Sequence, residues 1–269
     1  IDLRLEACQY IFTAFSLEEV KAAFISSGKR ISSNQFKVCI EEDNGENIEI
    51  FNVCLKLKQI YGPQVNIMAG NIGNPKTYID YCKAGIDYAR VGLGSCSLVD
   101  EEKYGFYYPM ASLLLDITGL KATSCTGLKQ TKIIADGGIS NQVDILKALA
   151  LGADYVMLGR QFARLIESSG TIYRKEKGPE GMETMEEINP SSYDIASLSR
   201  TELKDLGFQR LYTTNSFKPK EARSDWVKVT STIDEWKDEA INVFSNAFLL
   251  SDATNWKEYK TNIKFCRVQ

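Results

Sequence analysis

Histidine is absent from this chain of 269 residues. That excludes histidine-based nucleophile triads, imidazole metal sites and imidazole acid–base chemistry together. Proton transfer is left to carboxylates, Lys, Tyr, Cys or water. No apolar run approaches the roughly 20 residues that a membrane-spanning helix needs, and no stretch reads as a signal peptide. The expected setting is therefore the cytoplasm, with no membrane partner. No long basic run occurs and the net charge is −3, so nucleic acid is not an expected partner. The 7 cysteines (Cys8, Cys39, Cys54, Cys82, Cys96, Cys125 and Cys266) are odd in number and lack CxxC spacing. Free thiols in a reducing compartment are expected, rather than a disulfide framework or a zinc site. The chain opens at Ile1 rather than Met, which leaves an upstream segment open.

What is present points to an α/β fold. A hydrophobic content of 44% supports a sizeable core, and the length suits one large domain. An internal repeat organises the middle of the chain. Ile67-Met68-Ala69-Gly70 and Ile134-Ala135-Asp136-Gly137 both read as strand ends running into a glycine turn. Each leads to an amphipathic helix, Pro75 to Ala84 and Asn141 to Ala150. Each helix stops at a glycine suited to a left-handed cap, Gly85 or Gly152. A matching strand start follows, Ile86-Asp87-Tyr88 or Ala153-Asp154-Tyr155. Repeated βαβ units with short connections predict a parallel sheet, and repeated halves favour a closed barrel over one domain spanning 1–269. Further elements are a strand over Phe36–Glu41 and a helix over Glu46–Ile60 with Ile50, Val53, Cys54 and Leu57 inward. A helix from Tyr108 to Leu120 and another from Asp234 to Leu249 complete the set. Residues 1–35 are too compressed to supply the opening strands of a full barrel. Residues 170–230 are polar with little periodicity, which reads either as a flap inserted after the last barrel strand or as a disordered loop.

The glycine turns suggest chemistry. In a parallel barrel the C-terminal ends of strands present the ligand-binding groups. Asp136-Gly137-Gly138 and Gly159-Arg160 both fall there, and backbone N–H groups at such turns suit a phosphate. Each turn read alone is equally consistent with a tight bend. The Asp136 carboxylate, one step away, suits sugar hydroxyls. Arg160 could pair with a phosphate, fill the pocket or face solvent.

These motifs resemble the inosine monophosphate dehydrogenase and GMP reductase family. The resemblance runs from about Phe36 to the C-terminus. It rests on Met68-Ala69-Gly70-Asn71, Val91-Gly92-Leu93-Gly94, Ala135-Asp136-Gly137-Gly138-Ile139 and Val156-Met157-Leu158-Gly159, in that order. Glu167-Ser168-Ser169-Gly170, Gly181-Met182 and Phe265-Cys266-Arg267-Val268 add to it. It implies a (β/α)8 barrel with a flap, usually tetrameric, that binds a purine nucleoside monophosphate at its mouth. Asp136 would hold the ribose hydroxyls and the backbones of Gly138 and Gly159 the phosphate, with Gly137 beside them; Arg160 stands where the family usually has a small residue. Gly181 and Met182 of the flap would lie at the purine. Glu41 and Asn71 would lie toward NADP or NAD.

The chain departs from the family at its catalytic loop. The family reads Gly-x-Gly-Pro-Gly-Ser-x-Cys-x-Thr, in which Cys attacks purine C2 and splits a hard substitution into two easier steps. Here the loop reads Gly92-Leu93-Gly94-Ser95-Cys96-Ser97-Leu98-Val99-Asp100. Counting forward from Gly94 puts Val99 at the nucleophile, and counting back from Pro109 puts Leu98 there. Cys96 is the candidate nucleophile only if the loop is rebuilt; otherwise it is a small apolar residue. Asp100 and Glu183 are candidate proton carriers for a non-covalent route. The loop that carries potassium in some members lacks its Pro and Cys, so no metal is assigned. Three functions stay open: a GMP reductase-like oxidoreductase, a nucleotide-binding paralogue serving regulation or assembly, and an enzyme with other chemistry on a purine nucleotide.

Overall fold

The computed structural model describes residues 11–27, 35–42, 44–92, 108–125, 127–177, 183–189, 198–213 and 224–264. The chain forms two compact units, residues 1–138 with 147–157, and 139–146 with 158–269. The first holds a six-stranded parallel sheet of β1 (Thr13–Phe15), β2 (Phe36–Glu41), β3 (Val65–Ile72), β4 (Tyr88–Val91), β5 (Lys132–Asp136) and β6 (Tyr155–Met157). Each strand pairs with the next one in the chain. The order never reverses, so the sheet winds in one direction as a barrel wall does, whereas a doubly wound sheet has a switch point.

The connecting helices are α1 (Leu17–Val20), α2 (Ile48–Tyr61), α3 (Pro75–Lys83), α4 (Met110–Ser124) and α5 (Gln142–Ala150); the divide between units falls within α5. α2 starts where the Asn47 side chain accepts from the Glu49 N–H, and it buries Ile50, Val53, Cys54 and Leu57, the face expected from its periodicity. α3 starts with an Asn74 cap and Pro75 in its first turn. One face of the sheet is closed by fully buried Val38, Ile40, Ile67, Ala69, Ala89, Val91, Ile133 and Ala135. The other carries Cys39, Met68 and Ile134, with Phe12 and Tyr88 packed against them.

The internal repeat has a physical basis at the start of the strands. The Asp87 carboxylate, just before β4, accepts from the Ile67 N–H at 2.7 Å, Lys58 Nζ at 2.7 Å and Lys129 Nζ at 2.5 Å. Asp154, just before β6, accepts from the Ile133 N–H at 2.9 Å and Lys121 Nζ at 3.2 Å. Each aspartate thus caps the strand before its own and draws a lysine from the helix before that strand. Gly85 and Gly152 both have positive φ, as the expected helix stops require.

The second unit differs from its sequence expectation. Among its described residues, β7 (Ile172–Lys177), β8 (Glu183–Ile188), β9 (Phe208–Thr213) and β10 (Ser224–Lys228) form an antiparallel sheet in the order β10-β9-β7-β8. Its own core is Ile166, Ile172, Ile188, Leu203, Phe208 and Val229. Within the stretch that read as an aperiodic polar insertion, the described residues therefore hold regular strands and a helix. Charged residues fill most of β7 and β8, and each strand gives the core a single isoleucine, Ile172 or Ile188, so no alternation shows in the sequence. The unit also holds α6 (Arg160–Ala163), α7 (Arg200–Asp205), α8 (Ile233–Leu250) and α9 (Trp256–Asn262).

Arg210 on β9 is buried and organises the turn after α6. Nη1 donates to the carbonyls of Ala163 at 2.8 Å and Leu165 at 2.7 Å. Nη2 donates to Ile166 at 3.3 Å and Ser168 at 2.8 Å, and Nε to Gly170 at 3.3 Å. Burial lowers the guanidinium pKa, opposed by the charge of Glu167. Carbonyl dipoles satisfy every nitrogen of this cation, which a buried charge requires. No helix among the described residues is long and apolar enough to cross a membrane.

Candidate functional site

Polar side chains collect where β2 to β5 end. Arg90 on β4 is the centre. Its Nε donates to Asp136 Oδ2 at 2.9 Å, and its Nη1 lies 3.6 Å from Glu41 Oε1 and 3.9 Å from Cys39 Sγ. Asn71 Nδ2 donates to the same Asp136 oxygen at 2.9 Å and to the Gly92 carbonyl at 3.3 Å. One buried guanidinium therefore bridges two carboxylates, with an amide completing the group. Burial alone would lower the Arg90 pKa, but the Asp136 and Glu41 charges outweigh it and hold the pKa above the ordinary value. Burial pushes the Cys39 thiol up, against the opposing pull of Arg90, which keeps it protonated.

Two glycines make this arrangement possible. β3 separates β2 from β4, and Gly70 on β3 pairs with Glu41. A Cβ at Gly70 would lie 2.5 Å from Arg90 Cβ, so only a bare backbone lets Arg90 cross to Glu41. A Cβ at Gly92 would lie 2.2 Å from the Asp136 carbonyl, and its φ of +145° is also one that L side chains rarely adopt. The Asn71 backbone is held as well: Gly45 N–H donates to its carbonyl at 3.1 Å, and Tyr81 Oη donates to the Gly45 carbonyl at 2.7 Å.

The residues expected from the sequence divide three ways. Glu41, Asn71 and Asp136 come together around Arg90. Gly137 and Gly138 follow Asp136 with φ of 114° and 72°. In the second unit, Gly159 is the N-cap residue of α6, Arg160 pairs with Asp225 at 2.7 Å on the surface, and Glu183 opens β8. Of the three roles left open for Arg160, the structure shows an exposed ion pair. Cys96, Asp100, Gly181 and Met182 lie outside the described residues. Among the described residues no group of three His, Cys, Asp or Glu side chains could hold a metal ion.

Sequence reasoning passed over Arg90. The available signal was a full charge one residue before the Val91-Gly92 strand end, inside an otherwise apolar run. It also passed over Gln161. That side chain is buried in the second unit, where its Nε2 donates to the Ile139 carbonyl at 3.3 Å and its Oε1 accepts from Trp236 Nε1 at 3.0 Å.

Residues 29–201 match the family described as "IMP dehydrogenase / GMP reductase domain". The chain belongs to this family. The match takes in β2 through β8, and with them Glu41, Asn71, Arg90, Asp136 and Gly159. Among relatives, the chain is 28% identical over 233 residues to "Inosine-5'-monophosphate dehydrogenase" of Chlorobaculum parvum, covering 86% of this chain and 45% of that protein. It is 33% identical over 174 residues to "GMP reductase 1" of Homo sapiens, covering 63% of this chain and 49% of that protein. It is 33% identical over 171 residues to "Inosine-5'-monophosphate dehydrogenase" of Bacillus subtilis, covering 62% and 34%. The chain spans about half or less of the length of these curated relatives. Members of the IMP dehydrogenase / GMP reductase family of both kinds therefore match it to a similar degree.

Proposed function

We propose that this chain binds a purine nucleoside monophosphate at the C-terminal ends of its parallel strands and acts on it as an NADP- or NAD-dependent, GMP reductase-like oxidoreductase. On this reading the sheet is the wall of the family's (β/α)8 barrel, with residues 170–230 inserted after its last strand. The observation that carries it is the Arg90 group. Four polar side chains meet at strand ends, Arg90 and Asn71 buried and Glu41 and Asp136 largely so, in a family whose relatives are named for purine nucleotides. Asp136 has a second carboxylate oxygen for the ribose hydroxyls, since Arg90 and Asn71 both engage Oδ2. The N–H groups of Gly138 and Gly159 would hold the phosphate.

The residues present also fit a nicotinamide. The Asn71 side-chain carbonyl and the partly exposed Glu41 carboxylate are acceptors of the kind that a carboxamide and a ribose require. When bound, the cofactor supplies or takes the hydride. The chain's own part is to orient the purine, keep water out and fix the charges of Glu41 and Asp136 through Arg90.

The register of Cys96 favours a second reading, a nucleotide-binding paralogue without redox chemistry. Without a thiol at the family position, turnover loses its covalent intermediate, and the rate should fall by orders of magnitude. Calorimetry with GMP, IMP and guanosine tests binding, and absorbance of NADPH with GMP tests turnover. Monophosphate binding that Asp136→Ala weakens by about 1–3 kcal/mol is expected. Equal affinity for nucleoside and monophosphate overturns the phosphate assignment. Turnover abolished by Cys96→Ser supports the oxidoreductase, and tight binding without turnover supports the paralogue.

A further inference from the structure

Gln161 is an amide buried to 5% exposure, hydrogen-bonded at both ends to groups of its own unit. Trp236 on α8 donates its indole N–H to Gln161 Oε1 at 3.0 Å. An indole nitrogen can only donate, so it fixes which end of the amide faces α8 and leaves the NH2 end for the Ile139 carbonyl at 3.3 Å. Phe162 packs edge-on against the same indole with ring centroids 5.1 Å apart, holding α6 to α8. On the far side of the Ile139–Ser140 peptide, the Ser140 N–H donates to Asp144 Oδ2 at 3.0 Å. Both polar ends of that peptide plane are therefore pinned. Ile139 closes the Asp-Gly-Gly-Ile turn, and Gly159, two residues before Gln161, opens α6. A carbonyl rotated toward a bound anion would repel it, whereas one tied to Gln161 cannot rotate.

We propose that Gln161, oriented by Trp236, is a positioning residue for monophosphate binding, because it locks the Ile139 carbonyl away from the phosphate. This rests on the phosphate reading given above. Wild type, Gln161→Leu and Gln161→Glu are titrated with GMP and with guanosine by calorimetry. The Trp236 indole N–H is followed by NMR, assigned through Trp236→Phe. In the wild type GMP binds more tightly than guanosine and alone moves the Trp236 signal. Gln161→Leu weakens GMP about tenfold, leaves guanosine unchanged and abolishes that movement. Gln161→Glu loses GMP affinity at pH 8, where the introduced carboxylate cannot donate to Ile139. It regains affinity relative to wild type at pH 5, because burial at this position favours the neutral carboxyl and lifts it above the ordinary value of about 4.3, and the neutral group can donate. That comparison uses one protein at two pH values and so holds even if Gln161→Leu fails to fold. A GMP preference that survives both substitutions overturns the proposal alone, as does an equal loss for GMP and guanosine. A wild type without GMP preference overturns the phosphate reading and the proposal together.

Discussion

Carboxylates stand at both ends of the parallel sheet, and they are held in opposite ways. At the strand starts, Asp87 and Asp154 each accept a backbone N–H and are surrounded by lysines drawn from helices, a loop and the start of β5. At the strand ends, Glu41 and Asp136 share a single arginine and accept nothing from strand backbone among their described partners. Excess cation and backbone capping suit a group whose task is to fix a helix–strand junction. Shared, limited cation leaves acceptor capacity for something else. In barrel-type folds the two ends carry stability and function respectively, and the proposed site lies at the end where the carboxylates keep acceptor capacity.

The sharpest way to break this comparison is to remove Arg90. Arg90→Leu leaves two carboxylates facing each other in a buried setting, so unfolding free energy should fall by about 3–5 kcal/mol and GMP binding should vanish. Adding Asp136→Asn should restore much of the stability and none of the binding. Chemical denaturation and calorimetry read both, and binding that persists in Arg90→Leu would dissociate this end from the site. Asp87→Ala should cost about 2–4 kcal/mol, because it strands a backbone donor and the half-buried Lys58. Nucleotide affinity of the folded fraction should not change; a weakened affinity would show that the two ends are coupled.

A third test concerns pH. With no histidine in the chain, thermal midpoints should stay level between pH 6 and 8. Burial raises the thiols of Cys39 and Cys54, and burial with the neighbouring Cys82 pushes Cys125 up to about 11. Burial also raises the hydroxyls of Tyr78 and Tyr81. An acid kept neutral by the fold contributes stability in full below its unfolded value, 9.0 for these thiols and 10.0 for the phenols. That contribution is lost as pH climbs through the raised folded values. Midpoints should therefore drop only above about pH 9, and a slope between pH 6 and 8 would contradict this. The smallest effect belongs to the surface: Asp225→Ala should change stability by less than about 1 kcal/mol and less still in high salt. It also frees Arg160, so a gain in GMP affinity at low salt would return that residue to the phosphate.

Much of the first unit was legible because its signals are local and repeated. The Gly85-Ile86-Asp87-Tyr88 and Gly152-Ala153-Asp154-Tyr155 stops lie next to the helices they end, and apolar runs such as Val38 to Ile40 leave little choice of structure. Asp136 was found because it stands at a strand end beside a glycine turn, and Glu41 and Asn71 came with the family resemblance. Arg90 was not found, because a lone charge in a strand reads as an exposed edge until the register places Gly70 beneath it. The antiparallel sheet was missed for a related reason. β7 and β8 bury one isoleucine each at the Ile172–Ile188 pair, and the other neighbour of β7 is β9, far along the chain. The short β1 and the helix α9 carried too few residues for a period to show.

Arg210 has a consequence for how the protein is made. The parallel sheet can assemble in the order of synthesis, since every strand pairs with one that already exists. The carbonyls of Ala163 to Gly170 cannot be satisfied that way, because their common donor lies 40 to 47 residues downstream. While the ribosome translates that interval, the turn after α6 has its local hydrogen bonds, such as Ser168 N–H to the Leu165 carbonyl, and lacks the donor that ties its carbonyls together. A nascent chain of this length is therefore half finished in a specific sense: a wall already hydrogen-bonded, joined to a loop still waiting for one arginine. Truncations that stop before β9 should behave in the same way however carefully their boundaries are chosen, since they lack the Arg210 donor together with the β9 pairing to β7 and the core side chain of Phe208.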